Sequence, residues 1–132
     1  MVIDTSAILA MLFDEPEADA FARLVEADPV VLVSAVSRVE ATFVIEGRKG
    51  EAGRVRLDRF FGLVAAEVVP VSAEQAEVAC EAFRRYGKAR HPANLNFGDV
   101  FAYALAKTTG EPLLFKGDDF SRTDLPSAAG QR

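Results

Sequence analysis

The sequence predicts an α/β domain: a mainly parallel sheet of four or five short strands with helices on both faces. Three observations lead there. Short apolar runs rich in Val, Ile and Leu recur at residues 1–4, 30–34, 67–71 and 111–115, the form taken by strands covered on both sides. The stretches between them carry helical spacing and capping residues and are long enough for crossovers, which set successive strands parallel. The length, 132 residues, suits one domain and leaves little room for two. In such folds ligand sites form beyond the carboxyl ends of the strands.

In chain order, MVID reads as a buried strand whose final acid reaches the sheet edge. TSAILAMLF, residues 5–13, follows as a short helix. Pro16 suits the first turn of the next helix, which runs to about Asp28. VVLVS, read as strand 30–34, is β-branched and apolar. Helices are predicted over 35–49 and 52–65, parted by Gly50 and Gly53. EVVPV at 67–71 is a third strand that Pro70 shortens or confines to an edge. Ser72 and Gln75 form a capping-box signature opening a helix that ends near Gly87. A loop with Pro92 leads to a strongly apolar helix over 97–108, stopped by Gly110 and Pro112. EPLLF is the last strand. The domain is expected to span 1–126, with 127–132 a loose tail.

No apolar run approaches the ~20 residues of a membrane span, and no basic segment followed by an apolar one marks a leader. A cytoplasmic protein without membrane contact is the expectation. Cys80 is the only cysteine, which excludes a disulfide framework and a thiolate cluster; it falls on an apolar helix face and is expected in the core. The net charge of −5 argues against a generic nucleic-acid coat. The charge is uneven, however. Residues 1–28 hold seven acids against one base, whereas residues 81–96 hold Arg84, Arg85, Lys88 and Arg90 against Glu81 alone.

The carboxylates carry the chemistry. Asp4 follows the first strand and can cap the next helix. Glu40 completes a capping-box pattern with Ser37, yet Val36, Val39, Phe43 and Val44 surround it at helical spacing, placing it on an apolar stripe. Asp99 suits the third position of a helix capped by Asn96. The dipole there contributes typically 0.3–1 kcal/mol, less than the several kcal/mol needed to bury a carboxylate. Asp118 and Asp119 follow Gly117 in a turn. Singly, each acid has a structural explanation. Together they bring carboxylates to the same sheet edge, where they repel unless a cation sits among them. Oxygen ligands favour Mg²⁺ or Mn²⁺ over zinc.

These residues carry a resemblance. MVIDTSA at the start, SRVEA on the helix after the second strand, LNFGD opening a late helix and LLFKGDDF near the end resemble, in that order, the motifs of a PIN domain, and more closely a VapC-type toxin of a bacterial type II toxin–antitoxin pair. The resemblance implies a PIN-like three-layer sandwich and a Mg²⁺- or Mn²⁺-dependent endoribonuclease. It also implies a VapB-type antitoxin partner and a homodimer. Asp4, Glu40 and Asp99 would form the acidic core and hold the metal. Thr5 or Ser6 would orient ligands, and Asn96 would support the loop before Asp99. The family often shows an acid, one residue, then Asp-Phe; here Gly117 takes the earlier slot. Asp119 is favoured as the fourth acid, with Asp118 its alternative.

An acidic centre that cuts RNA needs basic side chains at its rim. Arg84, Arg85, Lys88, Arg90, Lys107 and Lys116 are the candidates. The rival readings are a PIN fold retained as an inactive RNA- or protein-binding module, and a receiver-like phosphoacceptor. The second needs an acid pair after the first strand, which this chain lacks.

Overall fold

The computed structural model describes residues 1–130. Four strands, β1 (Val2–Ile3), β2 (Leu32–Ser34), β3 (Glu67–Val69) and β4 (Leu113–Leu114), form one sheet in the order β3-β2-β1-β4. All neighbours are parallel, with Val2 opposite both Leu32 and Leu113. The helices are α1 (Thr5–Leu12), α2 (Ala18–Ala27), α3 (Ala35–Leu63), α4 (Ala73–Tyr86) and α5 (Phe97–Thr109), followed by a 3₁₀ turn at Phe120–Arg122.

Alternation along the strands divides the core into two layers. Val2 and Leu113 pack with α4 and α5. Ile3, Val33 and Leu114 point the other way, against α1, α2 and α3. A fully covered sheet needs no polar face, which is why its strands read as unbroken apolar runs. β3 lies at an edge and ends at Val69, before Pro70, which has no N–H for the ladder.

The two helices predicted over 35–65 are joined directly in α3. Gly50 alone breaks the helical path, at φ 59° and ψ −142°, a conformation that residues with a Cβ rarely adopt. Gly53 serves differently: a Cβ there would overlap the Ile45 carbonyl and the Lys49 side chain. Of the two breaks expected from the sequence only Gly50 is one, and it makes a kink rather than a loop.

Two expectations are corrected. The segment from 127 is not loose at its start. The Leu113 N–H donates to the Pro126 carbonyl and the Ala128 N–H donates to the Leu113 carbonyl, so Ser127 pairs parallel to the free edge of β4. Gln131 and Arg132, also assigned to the tail, lie outside the described residues. Cys80 is exposed rather than in the core. The buried stripe of α4 runs through Gln75, Ala79, Ala82 and Tyr86, and Cys80 falls one position off it.

Candidate active site

The chain reverses direction between β1 and α1, and Asp4 sits at that point. Its backbone N–H donates to the Leu114 carbonyl at 2.9 Å, which ties it to β4. Its side chain caps α1 by accepting from the Ser6 N–H at 2.9 Å and the Ser6 hydroxyl at 2.6 Å. The Ser6 hydroxyl in turn accepts from the Lys116 N–H at 3.0 Å. Asp4 is 3% exposed. Burial pushes its pKa from the usual 3.8 to about 6; Ser6 pulls the other way and the charge of Glu40 adds to the rise.

Asp99 enters from the opposite layer. Asn96 and Asp99 form a full capping box at the start of α5. The Asp99 N–H donates to Asn96 Oδ1 at 2.9 Å, and the Asn96 N–H donates to Asp99 Oδ2 at 3.0 Å. The cap leaves Asp99 destabilised all the same. Its pKa is pushed up to about 7, first by burial, then by the charges of Asp4, Asp119 and Glu40. Asp119 thus belongs to the same electrostatic cluster. Asp118 is exposed, and its backbone carbonyl accepts from the Ser121 hydroxyl at 2.6 Å.

Glu40 reaches the cluster from α3, and its carboxylate lies against the Cα of Gly98, where any Cβ would collide with it. The capping-box explanation of Glu40 fails. Ser34 caps α3, accepting from the Val36 N–H at 3.2 Å, so Ser37 and Glu40 lie inside the helix. Ser37 is fully buried and its hydroxyl has no hydrogen-bond partner among the described residues. The sequence reading assigned it nothing beyond the cap. Thr5 is turned toward α3, its hydroxyl donating to the Ser37 carbonyl at 3.3 Å; the hydroxyl that touches the acids is that of Ser6.

Among the described residues none of these five acids has a basic partner within 4 Å. Nor do three Asp, Glu, His or Cys side chains among them stand close enough to form a ready-made ion cage. The cluster is coupled by charge rather than by shared coordination. That donor set fits a hydrated Mg²⁺ or Mn²⁺, since Mg²⁺ keeps several waters and takes one or two carboxylates directly.

Most of the expected basic rim is occupied. Lys107 donates to Asp124 at 2.6 Å, with Arg85 3.7 Å from the same carboxylate. Arg84 pairs with Glu81 and Lys116 with Glu15 and Glu17. Lys88 and Arg90 have no acidic partner among the described residues. Arg90 stacks over Phe83 at 4.7 Å, and both bases line a groove of about 740 Å³ between α4 and α5 that reaches Asn96 and Phe97.

Comparison with known proteins gives the family. Residues 1–125 match the PIN domain family. A VapC ribonuclease from Mycobacterium bovis is 53% identical over 129 residues, covering 98% of each chain. A Ribonuclease VapC from Mycolicibacterium smegmatis is 51% identical over 125 residues, covering 95% of this chain and 97% of its own. Among solved structures, Mycobacterium tuberculosis VapC20, described as a sarcin-ricin loop cleaving toxin, superposes with a TM-score of 0.75 at 23% identity. The match covers 94% of this chain and 95% of that one. VapBC2 from Rickettsia felis, bound to a DNA fragment from its promoter, gives 0.69 at 15% identity over 93% and 92%. A four-stranded parallel sheet between helical layers, with Asp4, Glu40, Asp99 and Asp119 coupled at its carboxyl edge, thus comes with family-wide similarity along nearly the whole chain: the protein belongs to the PIN-domain family of VapC ribonucleases.

Proposed function

We propose that this chain is a Mg²⁺- or Mn²⁺-dependent endoribonuclease that acts on cellular RNA such as tRNA or rRNA. It would be the toxin of a cytoplasmic toxin–antitoxin pair, neutralised by a VapB-type antitoxin. The observation that carries the reading is the convergence of acids from the end of β1, α3, α5 and the turn after β4 with no basic partner among the described residues; burial first, and then the neighbouring acids, raise the pKa values of Asp4 and Asp99. A buried acid cluster is costly to a fold and rewarding to a cation site.

Asp4 and Asp99 would hold the cation, with Glu40 beside them. Such an ion supplies an activated water and offsets the charge that builds on the phosphate. The protein's own groups do the rest. Ser6 fixes the Asp4 carboxylate and Asn96 that of Asp99. Glu40, held against Gly98, orients the attacking water and takes its proton. Asp119 is favoured over Asp118 as the fourth acid because its charge is among those that raise the Asp99 pKa. Lys88 and Arg90, which have no acidic partner among the described residues, are the bases assigned to meet phosphates. Asp4→Asn is expected to lower cleavage of a structured RNA about 10²–10³-fold, the scale set by losing a group that stabilises transition-state charge. A gel assay of purified protein checks this, and wild-type turnover by the variant would refute the reading.

The partners have a surface available. Phe43 and Phe97 are each 77% exposed and Val39 55%; they line an apolar groove between α3 and α5 beside Glu40 and Gly98. Contiguous exposed apolar side chains of this size mark an interface, and we assign this one to the homodimer. Phe43→Glu should shift the mass measured by light scattering from dimer toward monomer; an unchanged dimer would exclude this face.

A further inference from the structure

Ser37 is one turn before Glu40 on α3, and residues three apart share a helix face. Its carbonyl accepts from the Thr5 hydroxyl, which presses this turn of α3 against the turn that follows Asp4. On that turn the Ser37 side chain is fully buried, with a hydroxyl that nothing among the described residues engages. A buried hydroxyl without a partner costs about 1–3 kcal/mol, and alanine at this position would avoid that cost and favour the helix. The next buried positions of α3, Ala41 and Ile45, are apolar. Ser34, the other buried serine, uses its hydroxyl as the cap. The Ser37 hydroxyl has no such structural employment. Glu40, one turn on, has no hydrogen-bond donor among the described residues, and the Asp4 carboxylate beyond the Thr5 contact has only those of Ser6.

We propose that Ser37 is a positioning residue of the acid site: its buried hydroxyl, without a partner among the described residues in the ion-free fold, donates through one enclosed water to the Asp4–Glu40 pair when a divalent cation draws the two carboxylates together. The inference rests on the cation-site reading above. Groups that hydrogen-bond metal ligands typically change affinity 10–100-fold when removed. The test is a calorimetric Mn²⁺ titration of wild type, Ser37→Ala and Ser37→Thr, with a thermal melt of each in chelator. Ser37→Ala should bind Mn²⁺ at least about tenfold more weakly while its melting temperature holds or rises, because an unsatisfied group has gone. Ser37→Thr, which keeps a hydroxyl, should bind nearly as wild type does. Wild-type affinity in Ser37→Ala overturns the proposal. So does an equal loss in both variants, which would be a packing effect, or a lower melting temperature for Ser37→Ala, which would give the hydroxyl a structural partner. Absence of Mn²⁺ binding by wild type would sink the site reading itself and is distinguishable from all of these.

Discussion

Replacing Asp99 with Asn should make the metal-free protein more stable at pH 8 while removing both its stabilisation by Mg²⁺ and its RNA cleavage. The sign follows from linkage. Asp99 has a folded-state pKa of about 7 against an ordinary 3.8, and Asp4 about 6. The native state therefore binds more protons than the unfolded chain between those values. The associated stability is fully present below about pH 4 and is lost as pH rises through 6 to 7. The lowered carboxylates, Asp28, Glu51 and Asp124, contribute the opposite dependence, but theirs acts near and below pH 4. A comparison of pH 5 with pH 8 isolates the raised pair.

Raising the Asp99 pKa from 3.8 to about 7 corresponds to about 4 kcal/mol at most, and solvent screening at a partly exposed site reduces that to about 1–2 kcal/mol. Asn keeps the side-chain oxygen that accepts from Asn96, so the cap of α5 survives. The melting temperature of Asp99→Asn at pH 8 in chelator should thus exceed wild type by several degrees, and the gap should narrow markedly at pH 5. Saturating Mg²⁺ stabilises a binding protein by about 2.7 kcal/mol at a hundred times Kd; the variant should show little of that gain. A variant that melts below wild type at pH 8 would show that Asp99 is there for the helix and not for a cation.

Gly98→Ala is expected to cut cleavage about 10²-fold, with a small change in stability. The added Cβ would occupy the space of the Glu40 carboxylate. What it meets is the end of a flexible side chain, so Glu40 can swing away and the fold survives. The reaction does not, since misplacing a positioned group by about 1 Å can cost 10²-fold. A turnover assay and a thermal melt on the same sample separate the two effects. Unfolding of the variant, or unimpaired turnover, would contradict the role given to Glu40. The prediction is specific because Gly98 has ordinary helical geometry; its need for glycine comes only from the close approach of α3.

The strands were legible because burial on both faces left no polar residue to interrupt them, and Asp4, Asp99 and Asn96 were legible because capping follows local spacing. Glu40 was legible only as an acid on an apolar stripe. The capping box read for it with Ser37 was a local pattern that Ser34, three residues earlier, displaced. Pairings distant in sequence left no local mark. Lys116 with Glu15 and Lys107 with Asp124 took two bases out of the expected rim. The bridge between Ser127 and Leu113 uses backbone groups alone, which no side-chain pattern reports. Cys80 was misplaced by about 100° of helix rotation, since its apolar neighbours on α4 define two adjoining stripes of which only one is buried. Ser37 was visible as a residue and invisible as an orphaned donor, because satisfaction of a hydroxyl depends on three-dimensional neighbours.

The central claim is that Asp99 is held in place by a cation rather than merely tolerated. Calorimetric titration of Mg²⁺ and Mn²⁺ into wild type and Asp99→Asn at pH 8 tests it most directly. Saturable binding by wild type and at least about tenfold weaker binding by the variant is the predicted result; equal binding by the two proteins would contradict it.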